Sequence, residues 1–200
     1  EADKDTDPYK LSIMGCRTRV VSDLFGKEGA IGRSNIDNIS INLPRLALEV
    51  NNEFPKETIE NKLNLFKKKW IDVASITKDI LLDRFNKTCD SDIDLFPTNR
   101  KFKLWCEDIN KVGLKETFKH GTLSIGFIGL SETIEILTGK RYYVDEKTYS
   151  IALDLVKFMR EYTDNLTKQY HLNFSLLATS GELISGRFIE IDKKIYTHPC

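Results

Sequence analysis

Residues 121–140, GTLSIGFIGLSETIEILTGK, decide how the chain is read. The first nine are almost continuously apolar, the pattern of a strand buried on both faces. The rest, SETIEILTGK, reads as a helix, with Ser131 expected to cap the start and Gly139 expected just past the end. A buried strand running straight into a helix is half of a parallel crossover unit. The sequence should therefore supply a second such strand after another helix.

It does so downstream. Residues 145–170 carry Ile151, Leu155, Phe158, Met159 and Tyr162 at three- and four-residue steps, which predicts a helix, and LNFSLLAT (172–179) reads as the next buried strand. A Gly/Ser turn follows, and then GRFIEID (186–192), expected to be a final strand. Upstream, NISINLPRLAL (38–48) alternates Ile39, Ile41 and Leu43 with polar neighbours, a strand expected to end at Pro44. Residues 57–86 predict a long amphipathic helix through Ile59, Leu63, Phe66, Trp70, Val73, Ile80, Leu81 and Phe85. Residues 88–101 read as an irregular connection, and KFKLWCEDINKVG as a short helix closed by Gly113. The fold class is α/β, one unit over 1–200 with a parallel sheet or barrel. Ligands should gather at the carboxyl ends of the strands, near Gly129 and Thr179.

With 40% hydrophobic and 30% charged residues, the 200-residue chain has the composition of a globular domain with one substantial core. Thirty basic residues balance thirty acidic ones, so the charge suggests neither a nucleic-acid nor a membrane-surface partner. No apolar run approaches the roughly 20 residues of a bilayer span. The polar, acidic start EADKDTDPYK does not resemble a signal peptide. Cysteines 16, 89, 106 and 200 contain no CxxC pair and fit neither a disulfide framework nor a zinc site, so a reducing, cytoplasmic location is expected. The sequon NLT (165–167) lies within a helical pattern and is read as chance.

Three features bear on chemistry. In MGCRTRV (14–20), Cys16 sits between Gly15 and Arg17, ahead of a stretch where Gly26, Gly29 and Gly32 permit tight turns. It is either a small buried side chain or, with Arg17 and Arg19 lowering its pKa, a thiolate nucleophile. A base for such a nucleophile would have to be His120, His171 or His198. GFIG (126–129) lacks Walker spacing and is more simply a strand in close contact. ATSGELISGRF (178–188) is a small polar turn directly after a buried strand, where backbone N–H groups can converge on an anion.

Taken together, MGCRTRV, GRSNIDNISINLPRLAL, HGTLSIGFIGLSETIEILTGK and LNFSLLATSGELISGRF resemble, in order and spacing, the catalytic subunit of the anaerobic (class III) ribonucleoside-triphosphate reductases, from about Tyr9 to Lys194. The resemblance implies part of a ten-stranded α/β barrel of the ribonucleotide reductase and glycyl-radical type. A central finger loop would cover about 14–35, and the C-terminal half of the barrel about 57–194. It implies that Cys16 becomes a thiyl radical that abstracts the 3′ hydrogen of the substrate ribose. Asn35, at the end of a GRxN pattern, would orient the ribose hydroxyls, and Met14 would line the same pocket. The family turn is closer to ATPAEGLSGRF. Thr179, Glu182, Ser185 and Gly186 match it, whereas Ser180, Gly181 and Leu183 depart, which favours phosphate binding by backbone amides. His120, Gly121, Thr122 and Ser124 match a family strand and are expected to pack.

The same resemblance implies an internal fragment, inactive alone. The glycyl radical and a structural zinc site would lie C-terminal of it, and the ATP and dNTP effector regions N-terminal. It implies formate as co-substrate, a ribonucleoside triphosphate as substrate, a radical SAM iron–sulfur activase as partner and a homodimer. Two other readings stand beside it: a non-catalytic interaction module, and another glycyl-radical enzyme with a non-nucleotide substrate.

Overall fold

A computed structural model describes residues 11–14, 18–21, 23–26, 29, 33–104 and 108–196. Two short strands, β1 (Leu11–Met14) and β2 (Thr18–Val21), pair antiparallel with Met14 opposite Thr18 and Leu11 opposite Val21. Strand β3 (Asn35–Asn42) leads into α1 (Leu43–Glu53). Asn42 caps that helix by accepting from the Arg45 N–H at 3.4 Å, and Pro44 falls in the first turn, where its missing N–H costs nothing. The long α2 (Ile59–Cys89) is followed by a 3₁₀ turn (Ile93–Leu95), α3 (Pro97–Phe102) and α4 (Ile109–Phe118). Strand β4 (Thr122–Ile128), α5 (Leu130–Thr138), α6 (Glu146–Tyr170), β5 (Asn173–Ala178) and α7 (Glu182–Ile195) complete the order.

The α/β class holds: β3, β4 and β5 form one parallel sheet in the order β3-β4-β5, with the Thr122 N–H donating to Ser34 O (2.9 Å) at one end and the Thr179 N–H to Phe127 O (3.0 Å) at the other. The middle strand has six buried residues out of seven, as its apolar run predicts.

Four local expectations are corrected. GRFIEID is helix, not strand: Ile184, Phe188, Ile191 and Ile195 fall at helical steps of four, three and four, a period that outweighs the short alternation inside it. Helix α5 starts two residues earlier than the Ser131 cap implies, because Gly129 at φ 81° takes the cap position and makes the turn out of β4. Residues 88–101 contain a 3₁₀ turn and most of a helix instead of an irregular link. Gly113, at φ 81° and ψ 173°, interrupts α4 without ending it.

By internal contacts the chain divides into two units. The first comprises 1–38, 79–124 and 163–175, and its buried side chains include Leu81, Phe85, Ile109, Phe118, Leu123 and Phe174. The second comprises 39–78, 125–162 and 176–200. Its core includes Leu43, Val50, Phe66, Trp70, Ile125, Ile134, Leu155 and Met159, with the Trp70 ring edge-on to Phe158 and Tyr162.

Candidate functional site

The second unit holds the turn that the sequence marked as an anion site. Strand β5 ends at Ala178, and Thr179, Ser180 and Gly181 lead directly into α7. Thr179 is fixed twice: its N–H donates to Phe127 O, and its hydroxyl lies 2.6 Å from that of Ser40 in β3. Gly126 in β4 makes this hydroxyl pair possible. A Cβ there would stand 2.4 Å from Thr179 Oγ1 and 2.6 Å from Ser40 Oγ, so any larger residue would occupy the space of the bond.

Gly181 caps α7 with no side-chain hydrogen bond, while Ser185 turns inward, its hydroxyl and its N–H both donating to Gly181 O. Gly181 thus offers the first-turn N–H groups of this 14-residue helix no side-chain acceptor, and the helix dipole there favours a negative partner. Glu182 is the first residue of α7. Five expected binding positions, Thr179, Ser180, Gly181, Glu182 and Ser185, therefore share one strand–turn–helix.

Ser185 also reaches the wall of a cavity of about 490 Å³, together with Asn42, Ile128, Gly129, Glu132 and Phe188. Asp192 lines the same cavity; its carboxylate is 5% exposed and is held by Arg45, whose Nε lies 2.5 Å from it and whose Nη2 also contacts it, and by Asn42 Nδ2 at 3.0 Å. This buried ion pair ties α7 to α1.

The first unit carries the other expected positions. Met14 closes β1, and Asn35 opens β3 as a half-buried residue. Cys16 lies outside the described residues, as do Cys106, Cys200 and His198. Two residues beyond β2, Asp23 builds a cluster that the sequence did not reveal. Its carboxylate, 4% exposed, contacts His120 Nδ1 and accepts from Asn173 Nδ2 (3.0 Å) and the Phe25 N–H (2.9 Å). Asn173 in turn accepts from the Leu24 N–H (3.1 Å), and Arg33 donates to His120 O and to Thr122 Oγ1 (3.0 Å). Burial pushes the Asp23 carboxyl up, but the Phe25 N–H, the side chains of Asn173 and His120, and the Arg33 charge outweigh it and hold it below its usual 3.8. His120, expected as packing, is thus committed to Asp23. His171 occupies a left-handed turn (φ 52°) with its ring edge-on to Phe25. Cys89 is half-buried in α2, and burial pushes its thiol up to about 11. Among the described residues, no three His, Cys, Asp or Glu side chains gather as metal ligands do, and no helix is long and apolar enough to cross a membrane.

The family model described as anaerobic ribonucleoside-triphosphate reductase matches residues 1–199. The enzyme of that name from Haemophilus influenzae is 30% identical over 202 residues, covering 96% of this chain and 26% of the relative. That of Escherichia coli is 29% identical over 196 residues (94% and 26%), and that of phage T4 27% over 198 residues (93% and 29%). The chain thus spans about a quarter of the length of these relatives. Among solved structures, the anaerobic ribonucleotide reductase from Thermotoga maritima with glycerol in the active site aligns with TM-score 0.48 and 16% identity over 80% of this chain and 24% of that one.

Proposed function

The chain belongs to the anaerobic ribonucleoside-triphosphate reductase family, and we propose that it is the portion of such an enzyme that carries the reacting cysteine and receives the substrate's phosphates. The observation that carries this reading is the uncapped N-terminus of α7, entered directly from Thr179–Gly181 at the carboxyl end of β5. Open parallel sheets bind their ligands at such ends, and a triphosphate brings the charge that a helix N-terminus favours. Backbone N–H groups of the turn and of α7 would hold the phosphate oxygens, with Thr179 and Ser180 hydroxyls beside them and Ser185 bracing Gly181.

In this reading Cys16, as a thiyl radical, takes the 3′ hydrogen atom of the ribose and becomes a thiol, leaving the radical on the sugar. An S–H bond is close enough in strength to the ribose C–H for the transfer to reverse, so no histidine base is needed. The neutral amide of Asn35 both donates to and accepts from the ribose hydroxyls, and Met14 lines the pocket. The radical originates on a glycine in another part of the full-length protein, generated by a radical SAM activase. Formate supplies the two electrons as it becomes carbon dioxide, and the 2′ oxygen leaves as water. Membership in a ten-stranded barrel with residues 14–35 as its finger, a homodimeric state, effector control by ATP and dNTPs, a zinc site elsewhere and a cytoplasmic location belong to the same proposal.

The test is Cys16→Ser in the full-length protein. Deoxyribonucleotide formation should fall to background while the glycyl-radical electron paramagnetic resonance signal still forms. Product made at the wild-type rate with that signal present removes Cys16 from the reaction.

A further inference from the structure

We infer that Ser40 is a positioning residue for the phosphate turn, setting the direction in which the Thr179 hydroxyl donates. The inference rests on the reading that this turn binds phosphate.

The argument begins with counting protons. Each hydroxyl has one proton to give and two lone pairs to offer. Ser40 Oγ and Thr179 Oγ1 lie 2.6 Å apart, so one of the two protons lies between them and one remains. If Thr179 spends its proton on Ser40, it turns only lone pairs outward and repels an anion. If Ser40 donates, the Thr179 proton is free for a phosphate oxygen. An arriving phosphate selects the second arrangement, and Ser40 keeps the Thr179 oxygen satisfied while it does so.

The surroundings restrict the pair to this use. The Thr179 backbone is pinned to β4 through Phe127 O, so its side chain cannot drift with the turn. Both residues are half-buried, which leaves Thr179 reachable and lowers the competition from water. Gly126 supplies the opening through which the two hydroxyls meet, and an alanine Cβ there would also stand 3.3 Å from Ser40 Cα, so the strand backbone limits any retreat.

The experiment measures binding of CTP and of cytidine to the full-length protein by calorimetry. Ser40→Ala should weaken CTP by about fivefold, the weight of roughly one oriented hydrogen bond, and leave cytidine unchanged. Ser40→Thr, which keeps the hydroxyl, should restore CTP binding. Gly126→Ala should reproduce the Ser40→Ala loss, and it carries the test if Ser40→Ala does not fold. If Thr179→Val loses CTP affinity while Ser40→Ala binds it as wild type does, the turn keeps its role and the inference about Ser40 fails. If Thr179→Val and Ser40→Ala both bind CTP as wild type does, the phosphate reading itself fails and takes the inference with it. Equal weakening of CTP and cytidine by Ser40→Ala would make Ser40 a part of the fold and overturn its positioning role.

Discussion

Each of the two units buries an aspartate, and the two carboxylates are stabilised in different ways. Asp192 is 5% exposed beside the guanidinium of Arg45. Asp23 is 4% exposed beside His120, with neutral donors from Phe25 and Asn173. The first arrangement concentrates the compensation in one partner; the second distributes it. Removing a partner should therefore cost most at Asp192. Arg45→Ala leaves a carboxylate in the interior with only Asn42, and it should destabilise the second unit by about 3 kcal/mol. Amide hydrogen exchange in the full-length protein would read this as lost protection along α1 and α7. Unchanged protection there would mean that water replaces the guanidinium and that the two sites are alike.

The distributed site should lose less and should depend on acidity. In His120→Ala, Asp23 still accepts from Phe25 and Asn173 and still feels Arg33, so the cost should be about 1–2 kcal/mol. Because the folded value of Asp23 lies below 3.8, its contribution is fully present above about pH 4 and fades as the pH falls through that lowered value. Deleting His120 removes one of the groups that lower it. The exchange protection of the Leu24 and Phe25 amides should then be lost at a higher pH than in the wild type. Coincident acid curves for the two proteins would show that His120 contributes nothing to the charge on Asp23.

The same contrast marks how far the sequence could be read. Strands β4 and β5 and helices α2 and α6 were legible because each is a long run of a single period, apolar throughout or apolar every three to four residues. Helix α7 was not, since IEID at 189–192 alternates over four residues, and the helical stripe emerges only when Ile184 and Ile195 are included. Residues 182–188, read as part of the turn after β5, are the first half of that helix; the turn itself was legible at Thr179–Gly181, because turn chemistry is local. Ser40 was not: its partner is 139 residues away, and a lone serine in a strand carries no sign of one. Asp23 and His120, 97 residues apart, were hidden in the same way, although each residue type commonly needs a partner when buried. Local geometry can be read from local residues, whereas the polar pairs that close a site depend on which strands become neighbours.

The smallest effect should separate the two amides that assist the two aspartates. Asn173 is 4% exposed, and its side chain makes three bonds, donating to Asp23 and to Lys119 O (3.2 Å) and accepting from the Leu24 N–H. Asn42 has fewer ties, donating to Asp192 at 3.0 Å and accepting from the Arg45 N–H at a long 3.4 Å. Asn42→Ala should cost about 1 kcal/mol, the sum of a weak helix cap and one neutral hydrogen bond to a carboxylate that keeps its arginine. Protection at the first turn of α1 should fall while that of α7 holds. A loss as large as that of Arg45→Ala would mean that the amide, and not the guanidinium, keeps Asp192 buried, and the contrast between a concentrated and a distributed site would fail.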